Sequence, residues 1–285
     1  MKKVVLWVVL IVLGGFGAFG QAADVPFVYD DAKVEPGTVY FYKVSDKDKG
    51  QAYDFIVYQA DEKTFLSFGD FSEIAPMVQI GVQKYNPEIF CYEYFMNENP
   101  YSYAKKINSQ IKTEFSLDIK TKKMSGYLAY INLLKKEAKY TGSMDFLMLP
   151  SYEVSGCQLD LAYSMRFLRP GTKEFTVGCY TATKSNMEKV NFSGVEKVNG
   201  INCDKWEAVV LDKKGNPKNE KQIFWFDNSD LQYKLIKSES HMDGTAFKNS
   251  LIELTQTKKM TKAEWDIFCK TKTEEIRVRL DIPPK

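Results

Sequence analysis

Short runs in which apolar and polar residues alternate dominate this chain after its first two dozen positions. Residues 78–83 (VQIGVQ) and 113–119 (TEFSLDI) show the alternation most clearly. A period of two places the apolar side chains on one face of a β-strand. Similar runs occupy residues 40–44, 53–58, 65–68, 89–95, 124–131, 174–180, 187–192, 201–211, 222–226, 231–238 and 247–254. The chain is therefore predicted to be mainly β.

Turn signals between these runs predict antiparallel hairpins. Asn199-Gly200 separates two runs and suits a type I′ turn, which needs positive φ at both central residues. Asp243-Gly244 has the same character. Short loops between sequential strands favour an antiparallel meander over βαβ units. Within residues 201–211 the apolar positions change phase after Cys203, which predicts a β-bulge at Asp204-Lys205.

One helix is predicted at about residues 156–168. Ser155 and Gln158 have capping-box spacing at its start, and Arg169-Pro170-Gly171 ends it. Apolar residues recur at helical intervals at Leu161, Met165 and Leu168. This pattern is typical of a helix that buries one face.

A second, shorter helix is predicted from Lys262 to about Cys269, with Thr261 and Glu264 as its capping box. A long run of strands interrupted by one apolar helix suggests a sheet wrapped around that helix. The predicted fold is a curved antiparallel sheet, an open half-barrel, with one or two helices packed on its concave side.

The N-terminus has the order of segments of a cleavable signal peptide. Lys2 and Lys3 precede an uncharged apolar run at residues 4–13, and small residues lead up to Ala23. An uncleaved anchor is the alternative, but the run is well short of the roughly 20 residues that span a bilayer. We expect a signal peptide at 1–23, a half-barrel domain at 24–256, and a C-terminal helix and tail at 257–285. The mature protein is then periplasmic or otherwise secreted.

Charge argues against two classes of partner. Removing Lys2 and Lys3 from the 39 basic residues leaves 37, which equals the 37 acidic residues. A neutral chain without a basic cluster is a poor candidate for nucleic-acid binding through phosphates. It also lacks the polybasic patch that binds anionic lipid surfaces.

The cysteines leave two interpretations open. An oxidising compartment permits disulfides, and Cys179 and Cys203 lie in predicted strands separated by one further strand. Five is an odd number, however, and no spacing is typical of a metal site or a CxxC motif. We favour buried small hydrophobes for the set Cys91, Cys157, Cys179, Cys203 and Cys269.

Recognisable catalytic chemistry is scarce. His241 is the single histidine, and no GxSxG motif accompanies it, so it is interpreted as a turn residue in water. The chain has no zinc-ligand spacing, P-loop or dinucleotide fingerprint. No catalytic residue, metal ligand or cofactor is therefore predicted. Two carboxylates brought together by folding, as in glycosidases, stay open.

Several predicted strands are apolar on both faces, which a sheet with one wet face does not need. Phe224 and Phe226 alternate with Ile223 and Trp225. One face could meet the helix and the other a lid, a partner or a ligand, although aromatic residues also simply suit strands. The candidate ligand-binding residues are Leu161, Met165, Leu168, Trp206, Trp225 and Phe226.

The order of features in the C-terminal half is familiar. It runs through residues 166–171 (RFLRPG), 194–206 (GVEKVNGINCDKW), 224–227 (FWFD), 235–237 (LIK) and 243–244 (DG). It resembles a broad family of exported bacterial proteins of unknown function, related to the outer-membrane lipoprotein carriers through an open half-barrel sheet. The resemblance implies that fold and a bias toward hydrophobic envelope molecules. It implies no catalytic or binding residue.

Three functions follow as hypotheses. The first is a non-catalytic periplasmic binding or carrier protein for a hydrophobic or amphipathic envelope molecule such as a lipid or lipoprotein. The second is a structural or assembly factor that binds another envelope protein, and the third is an envelope hydrolase with paired carboxylates. None involves a nucleic acid or a transmembrane segment after signal cleavage. The sequence does not determine the oligomeric state.

Overall fold

The structure is a computed structural model. It describes residues 26–73, 77–87, 91–104, 107–118, 123–132, 137–147, 153–155, 158–180, 185–243 and 248–282. The predicted signal peptide at 1–23 and the Gly244 half of one predicted turn lie outside this set.

The described strands form one open sheet. Its order is β8-β7-β6-β5-β4-β3-β2-β1-β15-β14-β13-β12-β11-β10-β9, and every neighbouring pair is antiparallel except the short parallel pair β9–β10. The strands are β1 Thr38–Asp46, β2 Ala52–Gln59, β3 Thr64–Asp70, β4 Val78–Asn86, β5 Cys91–Ala104, β6 Ile107–Asp118, β7 Lys123–Asn132, β8 Glu137–Leu147, β9 Glu153–Ser155, β10 Glu174–Tyr180, β11 Ser185–Val198, β12 Ile201–Leu211, β13 Pro217–Asp227, β14 Leu235–His241 and β15 Asn249–Lys259. The predicted open antiparallel sheet is confirmed. β8 and β9 were not predicted.

Two helices accompany the sheet. Helix α1 covers Gln158–Met165, a shorter span than predicted, and Ser155 is the last residue of β9. Helix α2 covers Lys262–Arg279 and begins with the predicted capping box of Thr261 and Glu264. It extends ten residues past the predicted end, because Ile276 is also buried and packs in the same cluster as Cys269. No helix among the described residues is long and apolar enough to cross a membrane.

The helices cover opposite faces of the same central strands. Tyr40 and Tyr42 of β1 pack in the cluster that contains α1, whereas Val39 packs in the cluster that contains α2. Successive strand residues point to opposite faces, so the two clusters lie on either side of the sheet. We call these sides the α1 face and the α2 face. Because a helix covers each face, the central strands are apolar on both faces. The two helices lie on opposite sides of the sheet, so at most one of them packs on its concave side.

The turn at Asn199-Gly200 is confirmed, since both residues have positive φ, at 51° and 86°. The predicted bulge at Asp204-Lys205 is wrong, because β12 pairs with β13 without interruption there. The register shift lies instead in the neighbouring β11, between Phe192 and Gly194. The change of apolar positions along residues 201–211 has another cause. Cys203 is buried on the α2 face and Trp206 on the α1 face, so the buried side of β12 changes along its length.

The possible disulfide between Cys179 and Cys203 is wrong. Cys203 is a free, buried thiol, as is Cys269. Cys179 lies opposite Asn186 of β11, and Cys203 lies opposite Glu196 of the same strand. At about 3.3 Å per strand residue, those two partners are separated by about 30 Å. A disulfide needs Cα atoms within about 7 Å of each other.

Candidate functional site

Five of the six predicted ligand-binding residues come together on the α1 face. Leu161, Met165 and Phe226 are completely buried, and Trp206 is 4% exposed. Leu168 is partly buried against the same cluster. The helix therefore fills the space that the sequence suggested for a ligand, and these five residues form a packed core in this conformation.

Trp225 lies apart from the other five, on the α2 face. It packs with Cys203 and Ile236 in a small separate cluster. The ammonium groups of Lys205 and Lys237 lie 5.3 and 4.8 Å from its ring centroid. Strand alternation puts residue 225 opposite residues 224 and 226. The six predicted residues thus cannot form one site.

A small cavity remains beside α1. Its volume is about 70 Å³, which is room for about two water molecules at roughly 30 Å³ each. Aromatic and aliphatic side chains from five strands form its walls, and polar groups lie at one end. The lining residues are Tyr40, Tyr42, Phe55, Val57, Phe65, Gln83, Tyr92, Leu159, Ala162, Tyr163, Arg166, Lys234 and Leu235.

Arg166 places a positive charge at this cavity. The residue is only 5% exposed. Its Nε donates to the carbonyl oxygen of Gln232 at 2.8 Å, and its Nη2 donates to that of Lys33 at 2.6 Å. The guanidinium also lies 5.8 and 5.2 Å from the ring centroids of Tyr40 and Tyr163. Among the described residues, no carboxylate lies within 4.0 Å of it, which is unusual because buried charges are normally paired.

Lys33 brings a second cation to the same end of α1. Its Nζ donates to the carbonyl oxygen of Arg166 at 2.8 Å. Burial lowers the pKa of Lys33; the charge of Asp30 opposes this effect, and the charge of Arg166 adds to it. The neighbouring Lys234 differs, because it forms an ion pair with Asp230 at 2.6 Å. Arg166 at the end of the cavity and Lys33 beside it therefore form no ion pair within 4.0 Å in the described part of the chain, although the charges of Asp230 and Asp30 act on them from farther away.

Tyrosines line the rest of this cavity as neutral groups. Burial raises the pKa of Tyr42 and of Tyr163 above the ordinary value of 10.0. Tyr163 also packs edge-on against Phe65 and Tyr85, with ring centroids 4.2 and 4.8 Å away. These walls present apolar surface beside the guanidinium.

A larger cavity lies on the α2 face, between α2 and strands β3 and β4. Its volume is about 700 Å³, which is within the range of about 300–1,000 Å³ usual for small-molecule sites. We call it the α2 groove. It is lined by Leu66, Ile80, Gly81, Val82, Lys262, Trp265, Asp266, Cys269, Lys270, Thr273 and Glu274. The residue spacing on the helix explains the lining, since positions 265, 269 and 273 form one stripe and 262, 266, 270 and 274 the next.

The predicted environment of the single histidine, a turn in water, needs correction. His241 is the last residue of β14 and is partly buried rather than free in a turn. Its Nδ1 lies 2.6 Å from Oδ1 of Asn249, and Nδ2 of Asn249 donates to Asp48 at 2.6 Å. Because the amide nitrogen of Asn249 donates to Asp48, Oδ1 of Asn249 faces His241 and accepts a hydrogen bond from its Nδ1. Within the described residues, no group of three or more His, Cys, Asp or Glu side chains could hold a metal ion.

Sequence reasoning missed Arg166 as a site residue and missed the α2 groove. A signal for Arg166 was present, because it is the one charged residue inside the mainly apolar stretch 161–168. The groove had no comparable signal. It depends on how far α2 stands from β4, which no local pattern specifies.

No protein family and no curated protein matches this chain. Among solved structures it is similar to a β-barrel-like protein of a domain of unknown function, DUF1849, from Brucella abortus. The identity is 10%, the coverage 78% of this chain and 97% of that one, and the TM-score 0.44. It is also similar to a DUF1329 family protein from Desulfovibrio piger, with 11% identity, coverage of 81% and 89%, and a TM-score of 0.26.

A third similar structure is a candidate outer-membrane lipoprotein-sorting domain from Vibrio parahaemolyticus. Its identity is 11%, the coverage 84% of this chain and 93% of that one, and the TM-score 0.26. Identities near 10% and TM-scores below 0.5 carry no argument about what this chain does.

Proposed function

We propose that this chain is an exported, non-catalytic binding protein for an amphipathic envelope molecule with an anionic head group. The head group binds Arg166 and Lys33, and the apolar part lies against the tyrosine and phenylalanine walls beside α1. The observation that carries this proposal is the buried guanidinium of Arg166 at the edge of an apolar cavity, with no carboxylate within 4.0 Å among the described residues. A ligand anion would supply the missing countercharge.

Binding at this site requires α1 to move. A cavity of about 70 Å³ is too small for a long hydrocarbon chain, and Leu161 and Met165 fill the space next to it. Displacing α1 would vacate the volume of those side chains and leave an aromatic interior. A ligand that binds only the opened form selects a minor conformation of the protein. The observed association rate should then level off as the ligand concentration rises.

The test uses a nitroxide-labelled C18 carboxylate and its neutral methyl ester. Trp206 serves as the reporter because it belongs to the α1-face cluster and donates from Nε1 to Tyr233, next to Lys234. In a mature protein with Trp225→Phe and Trp265→Phe, we expect the carboxylate to quench Trp206. The change Arg166→Met should weaken carboxylate binding by about tenfold or more, since a hydrogen bond to a charged group contributes about 1.5–3 kcal/mol. Ester binding should stay nearly unchanged.

A second variant tests the position of the apolar part. Ala162 lines the cavity and is 3% exposed. Ala162→Leu should occupy the small cavity and reduce quenching of Trp206, with folding checked by circular dichroism. The matched control is Ala263→Leu at an exposed position of α2. Absence of Trp206 quenching up to the solubility limit of the probe would overturn the proposal.

A further inference from the structure

We infer that the α2 groove is a second, independent binding site, and that it takes the single alkyl chain of an amphiphile with an anionic head. The alkyl chain lies on Leu66, Ile80 and Val82 under Trp265 and Cys269. The head group meets Lys270 at the groove mouth. This site lies on the opposite face of the sheet from the α1 cavity and needs no movement of α1.

The floor and roof of the groove are apolar and already open. Leu66 of β3 lies opposite Val82 of β4, so the two form a continuous strip on one face. Trp265 forms the roof, 2% exposed and stacked on Tyr58 with ring centroids 5.2 Å apart. Burial raises the pKa of the nearby Cys269 thiol to about 12, so this side chain is also neutral in the groove. An alkyl chain placed here would remove apolar surface from water without a conformational change.

The charges at the mouth favour an anion. Lys262 is bonded to Asp266 at 2.6 Å, and Glu274 is paired with Arg277. Lys270 lies between these pairs on the same side of α2 and is exposed. In the described part of the chain it forms no ion pair within 4.0 Å. It is therefore the mouth residue whose charge is available to a ligand.

The backbone argues against a peptide as the occupant. The strands β3 and β5 pair with β4 along both of its edges. The groove floor consequently has no free strand edge to add a peptide strand, which is the usual source of affinity for extended peptides. A hydrocarbon chain needs no hydrogen bonds, so the alkyl chain fits the floor better.

The test again uses the nitroxide-labelled C18 carboxylate and its methyl ester, with Trp265 as the reporter. In a mature protein with Trp206→Phe and Trp225→Phe, we expect quenching whose association rate rises linearly with probe concentration. Lys270→Gln should weaken carboxylate binding severalfold and leave ester binding unchanged. The matched control is Lys272→Gln, because Lys272 lies on the same helix and pairs with Glu275 at 2.7 Å. Val82→Phe should reduce quenching by both probes.

Alkylation of the unmodified mature protein gives a second readout. Iodoacetamide at alkaline pH should label Cys269 more slowly when the unlabelled C18 carboxylate is bound, while labelling of Cys203 is unaffected. Quenching of Trp206 without quenching of Trp265 or protection of Cys269 would overturn this inference and leave the proposed function standing. Quenching of Trp265 with protection of Cys269 supports the groove whether or not Trp206 responds.

Discussion

At the scale of single residues, Gly126 marks a close approach of two strands rather than a need for backbone flexibility. Gly126 of β7 lies opposite Phe115 of β6, and Phe115 is buried. A Cβ built on Gly126 would lie 2.8 Å from the Cα of Phe115, and closer still to its ring and to the carbonyl oxygen of Glu114. Glycine inside a strand often marks such an approach of a neighbouring backbone. The phenylalanine ring occupies the space that a side chain would take.

We therefore expect Gly126→Ala to destabilise the protein. Overpacking typically costs about 1–3 kcal/mol, and here the opposing atoms include backbone that cannot rotate away. Gly81→Ala is the matched comparison, because its close neighbours are side-chain oxygens of Ser67 and Asn97. Those side chains can change rotamer, so this variant should lose less free energy of unfolding. Equal losses in urea denaturation would contradict this explanation.

At the scale of elements, α2 is specified locally at its start and by packing further along. Thr261 accepts from the backbone N–H of Glu264 at 3.2 Å, and the Glu264 carboxylate accepts from the backbone N–H of Thr261 at 2.7 Å. These bonds satisfy two amides that every helix start leaves unpaired. Beyond the first turn, Trp265, Cys269 and Ile276 bury one side against the sheet. The helix therefore needs both its cap and its contact with β1–β4.

Thr261→Ala should lower the free energy of unfolding by about 1 kcal/mol, the usual cost of losing an N-cap side chain. Thr271→Ala is the control, because Thr271 is exposed within the same helix and alanine is the better helix former. Urea denaturation followed by circular dichroism measures both. A loss at position 271 as large as that at position 261 would show that capping is not the cause.

At the scale of the whole molecule, many surface carboxylates are stabilised in their charged form. The hydrogen bond from Lys259 lowers the pKa of Glu35, that from Lys205 lowers the pKa of Glu196, and the backbone N–H of Thr261 lowers the pKa of Glu264. A carboxylate with a lowered pKa in the folded state contributes stability above its unfolded pKa. That contribution is lost as the pH falls through the folded value.

Stability should consequently decline on acidification below about pH 4.5, the ordinary pKa of glutamate in these cases. The pH dependence of stability has the opposite sign for Cys269, because burial raises the pKa of its thiol from 9.0 to about 12. Its contribution is complete below pH 9 and is lost as the pH rises toward the folded value. We expect the melting temperature to fall on both sides of a plateau. Cys269→Ser should reduce the alkaline decline, and a fully unchanged decline would assign it to other groups.

Much of the sheet follows from the sequence because strand alternation is a local property. The period-two runs, the turn at Asn199-Gly200 and the cap of α2 depend on neighbouring residues and backbone sterics. The resemblance and the strand order led to an open antiparallel sheet, which the structure has. The three-residue β9 was beyond this reasoning, since so short a strand leaves too few positions for alternation to appear.

Tertiary structure decided which face each apolar residue covers and where space remains. Leu161 and Met165 have the same pattern whether they line a cavity or fill a core, and only packing shows that they fill it. Trp225 has the apolar character of Phe226 yet lies on the other face, because register determines the direction of every side chain. The burial of Arg166 and the volume under α2 arise from contacts between distant segments. The sequence by itself determined most of the strands, and three-dimensional packing determined which faces they bury and where the cavities lie.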